Sequence, residues 1–386
     1  MLNTKRSVND METKHQQQKI RVGIAGANPH RGWASTAHIP AIQELEEYAL
    51  TAASTTQPAS ALAAKEQFHL PYAFSNYQEL VTHPEIDLVT VSVKAPDHYN
   101  IVMAALEAGK HVYCEWPLGR NLQEATAMAH LAKEKNVVTA IGLQGRFSPA
   151  INEVRALINK GYIGTVLSTT MIASGEVFGA TAAVAHAFMH DKQQGATMLS
   201  IQFAHYADTL CYVLGEFISL NATLATRRNS VQLLETGAII PSDSPDQVAV
   251  NGTLTSGAVA SIHVRGGHTN GNNFLWEING TEGDILIQAP IGFFHHLRDI
   301  TVLAADKHQQ HLVPVSISQQ FDYLGQTELT GPAYNTAQFY RAVGKSILHN
   351  TGEIPSFETA LLRHRMIDAV EKAAVSGTRQ SYLLAS

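Results

Sequence analysis

The stretch Ile20 to His38, IRVGIAGANPHRGWASTAH, has the residue types and spacing to hold a pyrophosphate. Apolar Ile20, Val22 and Ile24 carry Gly23 and lead into Gly26 and Gly32, and the pattern predicts a helix just past them. Glycines in such a turn let backbone approach the phosphates. The free N–H groups and dipole of the following helix then favour their charge. The spacing departs from G-x-G-x-x-G. Asn28 stands where a second glycine belongs, and Gly32 comes late, so the loop is longer. A plain tight turn would use glycines too, so the loop needs support from the rest of the chain.

That support comes from the elements around it. Strands are expected at 20–25, 48–54, 88–93, 111–115 and 137–143, with a weaker one at 72–74. They are continuously apolar, as in a parallel sheet covered on both faces. Helical patterns fill 59–68, 98–108 and 122–135, and Gly109 reads as a helix stop. Strands alternating with helices make residues 20–145 a doubly wound (Rossmann) α/β domain. Ligands on such sheets sit outside the carboxyl ends of the strands.

The residues after each strand are therefore the ones to read. Ser54-Thr55-Thr56-Gln57 follows the second strand, where an acid normally binds the adenosine ribose. Ser54 removes the repulsion against a 2′-phosphate, yet no arginine follows at once. NAD and NADP both stay open. Val93-Lys94-Ala95-Pro96-Asp97-His98 follows the fourth strand. Cys114-Glu115-Trp116-Pro117 follows the fifth, where a nicotinamide and the reacting carbon would lie. Gln144-Gly145-Arg146 follows the sixth.

From Phe147 the pattern changes. A helix is expected at 148–160 and a strand at 164–172. Residues 174–194 are poorly patterned and carry His186 and His190, and an apolar helix follows at 196–214. Runs at 247–254, 258–264, 274–279 and 284–288 read as antiparallel strands. Residues 229–245 read as a loop, and helices close the chain at 335–348 and 357–376. Residues 146–386 thus form an α+β domain on a mostly antiparallel sheet. Residues 1–19 are polar and read as a disordered tail without a signal peptide.

Composition narrows the class. A chain of 386 residues is long enough for two domains. A net charge of −6 argues against nucleic acid or an anionic membrane as partner. No apolar run approaches a membrane span. Two cysteines make no disulfide framework, so the cytoplasm is the expected compartment. The 19 histidines are scattered, and no metal site is expected.

Together these residues resemble the glucose–fructose oxidoreductase / inositol dehydrogenase (Gfo/Idh/MocA) family from Ile20 to about Tyr382. The glycine loop, Pro96–His98, Glu115-x-Pro117, the helix after Gly195 with His205 and Asp208, and the run 277–283 carry the resemblance. Gly32-Trp33-Ala34, Glu115-Trp116, Leu143–Arg146 and Ser148-Pro149 place it nearest the branch containing the fungal galactose-regulon repressor. The resemblance implies an NAD(P)-dependent oxidoreductase acting on a sugar, sugar derivative or cyclitol. It also implies a homodimer or homotetramer paired through the outer face of the second sheet.

By the same resemblance, cofactor contacts fall on Gly26, Asn28, Gly32, Trp33, Ser54, Thr55, Val93, Lys94, His98, Glu115, Trp116, Pro117 and Gln144. Substrate contacts fall on Trp116, Arg146 and His205, and His186 and His190, four apart in the unpatterned stretch, are further candidates. His205 is the expected base, an imidazole being competent near neutral pH, and Lys94 is a second catalytic candidate. The plainer alternatives are a solvated Lys94, and His186 and His190 on an exposed helix face. Two departures matter. The family lysine is Trp116 here, and the aspartate four residues before the histidine is Ile201. Trp116 cannot move protons, although its indole suits a nicotinamide or a sugar face. The alternatives are therefore a non-catalytic dinucleotide-sensing regulator and an NAD-dependent glycosidase or epimerase.

Overall fold

The computed structural model describes residues 19–292, 300–351 and 353–383. All but the last residue of the expected tail, 1–18, lie outside them. A six-stranded parallel sheet holds β1 (Ile20–Ala25), β2 (Tyr48–Ser54), β3 (Tyr72–Phe74), β4 (Leu88–Val91), β5 (His111–Cys114) and β6 (Thr139–Ile141). Its order is β3-β2-β1-β4-β5-β6. The chain reverses direction across the sheet between β1 and β4, which opens a crevice at their carboxyl ends. Val22, Ile24, Val89, Val91 and Val112 are fully buried, as the continuous apolar runs require.

Helices α1 (Ile39–Glu44), α2 (Pro58–Gln67), α3 (Tyr77–Thr82), α4 (Ala95–Glu107) and α5 (Leu122–Lys135) cover this sheet. Their ends are specified locally. Asn121 caps α5 by accepting from the Glu124 amide at 2.9 Å, and left-handed Asn136 ends it. Pro96 sits in the first turn of α4, where its missing N–H costs nothing.

After α6 (Pro149–Asn159) come β7 (Val166–Gly175), β8 (Thr181–Ala182), α7 (Ala204–Leu214), β9 (Phe217–Ala225), β10 (Ser230–Leu233) and β11 (Ile239–Pro241). Then follow β12 (Gln247–Leu254), β13 (Val259–Gly266), β14 (Phe274–Gly280), β15 (Gly283–Ala289), β16 (Thr301–Asp306) and β17 (Val313–Pro314). Eight of these form one sheet, β17-β16-β15-β14-β7-β13-β12-β9. Its pairs are antiparallel except β7 with β13. Along β12 and β13 buried and less buried residues alternate, so one face meets the core and the other is open. Helices α8 (Gly331–His349) and α9 (Phe357–Ser376) close the chain. Phe339, Tyr340 and Val343 of α8 return to the first sheet and join the core that holds Tyr48 and Tyr113.

Several expectations change. The helix expected at 196–214 starts with a π-helical turn at Met198–Phe203 before α7. Residues 229–245 are not a loop. β10 and β11 form a hairpin that pairs with β8. Buried Val231 and Leu233 anchor it, and Gly237 at φ +69° turns it. Strands β9 and β16 had no recognised signal. Among the described residues no helix is long and apolar enough to cross a membrane.

Candidate active site

Two cavities flank the carboxyl ends of the parallel strands, and Val93 lines both. The first, of about 400 Å³, takes in Gly26, Asn28, Ser54, Thr55, Thr56 and Ser60. Gly26 has φ +96°, and a Cβ there would stand 2.4 Å from the Ser92 carbonyl oxygen. Only glycine fits this turn. Asn28 takes the missing glycine's place and ties the longer loop together. Its side-chain oxygen accepts from the His30 amide at 2.9 Å, and its carbonyl accepts from the Ser35 hydroxyl. Gly32 lies outside both cavity linings, and a Cβ at it would meet open space. Its φ of +100° is what calls for glycine. The described lining of this end holds hydroxyls and amides but no carboxylate, lysine or arginine.

The second cavity, of about 390 Å³, collects the reactive groups. His205, in the first turn of α7, is 8% exposed. Burial pulls its pKa down to about 4, against the opposing charges of Glu115 and Asp208. The ring is therefore neutral at pH 7, the form in which an imidazole can take up a proton. Lys94, just before α4, places its ammonium 4.9 Å from the centre of the Phe188 ring on the facing wall. Trp33, Pro117 and Gln144 complete the wall on the parallel-sheet side.

Trp116 is 5% exposed. Its Nε1 donates to the Ser200 carbonyl at 2.5 Å, and its ring lies 4.9 Å from that of His364. The indole is thus fixed as a wall between β5 and α9. His98 also lines the cavity, yet its ring sits between two backbone carbonyls, to one of which the neutral imidazole donates. Nδ1 lies 2.8 Å from the Pro117 carbonyl and Nε2 3.1 Å from that of Val93. It staples the loops after β4 and β5, so its service to a cofactor is indirect.

Two residues expected at the substrate stand elsewhere. Arg146 lies outside the cavity lining and makes a two-pronged pair with Asp208, Nε to Oδ2 at 2.9 Å and Nη2 to Oδ1 at 2.6 Å. A buried carboxylate one turn beyond His205 captures it. His190 turns away and bonds the Ser242 hydroxyl at 3.1 Å, whereas His186 does line the cavity. Glu176, Val177, Phe188 and Met189 also line it and were not anticipated. They lie in short turns at Glu176–Phe178 and Val184–His190, which have no periodicity to read. Among the described residues no cluster of three or more His, Cys, Asp or Glu side chains is placed to hold a metal.

Residues 20–143 match the pattern of the oxidoreductase family with an NAD-binding Rossmann fold, and residues 149–289 match the Gal80p C-terminal domain. The galactose/lactose regulatory protein GAL80 of Kluyveromyces lactis is 30% identical over 76% of this chain and 68% of its own length. The chain belongs to the Gfo/Idh/MocA oxidoreductase family. Within that family, dehydrogenase aclE of Aspergillus oryzae is 29% identical over 95% of this chain and 99% of its own. The solved levoglucosan dehydrogenase with NADH and levoglucosan shares the Gfo/Idh/MocA fold, with a TM-score of 0.83 and 24% identity. That match covers 95% of this chain and all 100% of the other. The family's relatives thus include both dehydrogenases and a regulatory protein.

Proposed function

We propose that the protein is an NAD(P)-dependent oxidoreductase acting on a sugar, sugar derivative or cyclitol. The observation that carries this is the cavity in which His205 meets Lys94, His186 and Glu176 at the strand ends. Gly26 and Asn28 would hold the pyrophosphate, Ser54 and Thr55 the adenosine ribose, and Val93, Glu115 and Pro117 the nicotinamide end. The hydroxyl-lined ribose pocket, free of acids in its described lining, accommodates either dinucleotide. The cofactor supplies a hydride acceptor. His205 takes the hydroxyl proton, while the polar side chains of the facing wall bind the other hydroxyls.

One observation favours a second reading, a non-catalytic dinucleotide sensor. Trp116 and Ile201 leave two cavity positions without a proton-moving group. Fluorescence titration with NADH and NADPH, followed by a sugar and cyclitol screen at the nicotinamide absorbance band, separates the two. Binding with turnover supports the oxidoreductase. Binding without turnover across the screen supports the sensor. A folded protein that binds neither dinucleotide overturns both.

The open face of the eight-stranded sheet suits pairing with a second copy. Ile172 of β7 stands opposite Leu275 of β14, and Leu286 of β15 lies diagonally across from Leu275, opposite Glu277, all on the face away from the core residues. Light scattering should give two or four times the chain mass, and a monomer at micromolar concentration would rule the pairing out. Both cysteines are buried free thiols, which suits the cytoplasm.

A further inference from the structure

We propose that Glu115 is the counter-charge that makes His205 a usable base in this chain, and that Gln144, His38 and Gly142 form the seat that holds it there. The proposal rests on the reading of His205 as the proton acceptor. Glu115 follows β5, His205 opens α7, and both line the same cavity.

The seat is specific. Gln144 Nε2 donates to Glu115 Oε1 at 2.7 Å. His38 Nε2 stands 3.0 Å from the same oxygen, outside hydrogen-bond geometry. His38 is itself fixed, with Nδ1 2.9 Å from the Tyr340 hydroxyl, which lies 2.8 Å from Thr90 Oγ1. His38, Tyr340 and Thr90 are fully buried. Gly142 completes the seat. A Cβ there would stand 2.6 Å from Glu115 Oε2, so the carboxylate occupies space that only glycine leaves.

The neighbouring charges single Glu115 out. Asp208 is the other anion acting on His205, but Arg146 grips it in two bonds and Arg363 Nε lies 3.6 Å away. Two guanidiniums leave it little field to spare. Ile201, four residues before His205, carries no charge. On the facing wall Glu176 is exposed and screened by water. His186 is held neutral by burial. The Lys94 ammonium opposes a second cation. Around Glu115, burial and the carboxylate itself push the Tyr113 hydroxyl and Cys114 thiol up, so both stay neutral. Burial keeps His98 neutral too.

The chemistry needs such an anion. As the substrate alcohol is oxidised, its O–H proton passes to a ring nitrogen of His205. Its C–H hydrogen leaves with the bonding pair for the nicotinamide, and a carbonyl forms. The imidazolium then sits in a buried site, where an unpaired cation is costly. Glu115 offsets that cost.

The test is an NMR titration of histidine-labelled protein from about pH 8 down to about pH 2.5, so that a midpoint near 4 and one about a unit lower both fall inside the range, with His205 identified by loss of its signal in His205→Asn. In Glu115→Gln, His205 should protonate at lower pH, by on the order of one unit. Gly142→Ala displaces the carboxylate without removing it and should move His205 the same way. His205 curves that coincide with wild type in both variants overturn the proposal. The rate profile adds a second readout. Glu115→Gln should lower the kcat plateau and extend its acid limb downward, because a weaker base stays unprotonated longer. A lost plateau with an unmoved limb means a merely structural Glu115. If wild type turns over no sugar, the oxidoreductase reading fails, while the NMR shift still decides whether Glu115 charges His205.

Discussion

His205→Ala is expected to lower kcat by about 10²–10⁴-fold, the usual worth of a positioned general base, while dinucleotide affinity holds. Two family positions for moving protons are occupied here by an indole and an isoleucine. Lys94 is drawn toward Phe188 and His190 is outside the cavity, so neither replaces the imidazole directly. His205 contributes nothing to the lining of the cavity at Gly26 and Ser54, which is why binding should survive. Nicotinamide absorbance reads the first quantity and ligand fluorescence the second. Unchanged turnover would remove His205 from the mechanism. Lost binding together with lost turnover would point instead to a collapse of the wall that α7 supplies.

Asp208→Ala should cost about 3–5 kcal/mol of folding stability, the range for breaking a buried ion pair by deleting one partner. Asp208 is 1% exposed and Arg363 fully buried. The carboxylate joins Arg146, just past β6, to α7 and to Arg363 of α9. Arg363 reaches on to Glu216, whose other oxygen accepts from the Tyr382 hydroxyl at 2.5 Å. Removing Asp208 strands Arg146 without a carboxylate partner and leaves Arg363 with Glu216 alone. Urea unfolding reads the loss as a lower midpoint at constant slope. A change below about 1 kcal/mol, the scale of exposed pairs, would mean that water reaches this network and that it holds little together.

The glycine loop, the strand-end residues after β2, β4 and β5, and the choice of a parallel sheet were legible because each is a local signal. A strand buried on both faces must be apolar throughout, and ligands then gather at its carboxyl end. Patterning also marked β12 to β15, since one open face forces alternation. It missed β9, in which Leu220, Ala222 and Leu224 alternate with Ser219, Asn221 and Thr223 but the consecutive apolar Phe217 and Ile218 break the period at an irregular pairing.

The chemistry of individual polar side chains was decided by partners far away in sequence. The family resemblance put Arg146 at the substrate, yet Asp208, 62 residues later, claims it. His190 and His186 are one turn apart, but only the fold decides which faces the cavity. Glu115 is held by Gln144, 29 residues on, and the neighbouring His38 is fixed by Tyr340, 302 residues away. The sequence by itself determined the parallel sheet, its covering helices and the edge where its strands end, because periodicity reports which face is buried, while His205 was singled out by the family resemblance. Tertiary structure alone decided which buried polar groups pair with one another and which line the cavity. That outcome depends on which helices and loops pack together, and no local pattern encodes it.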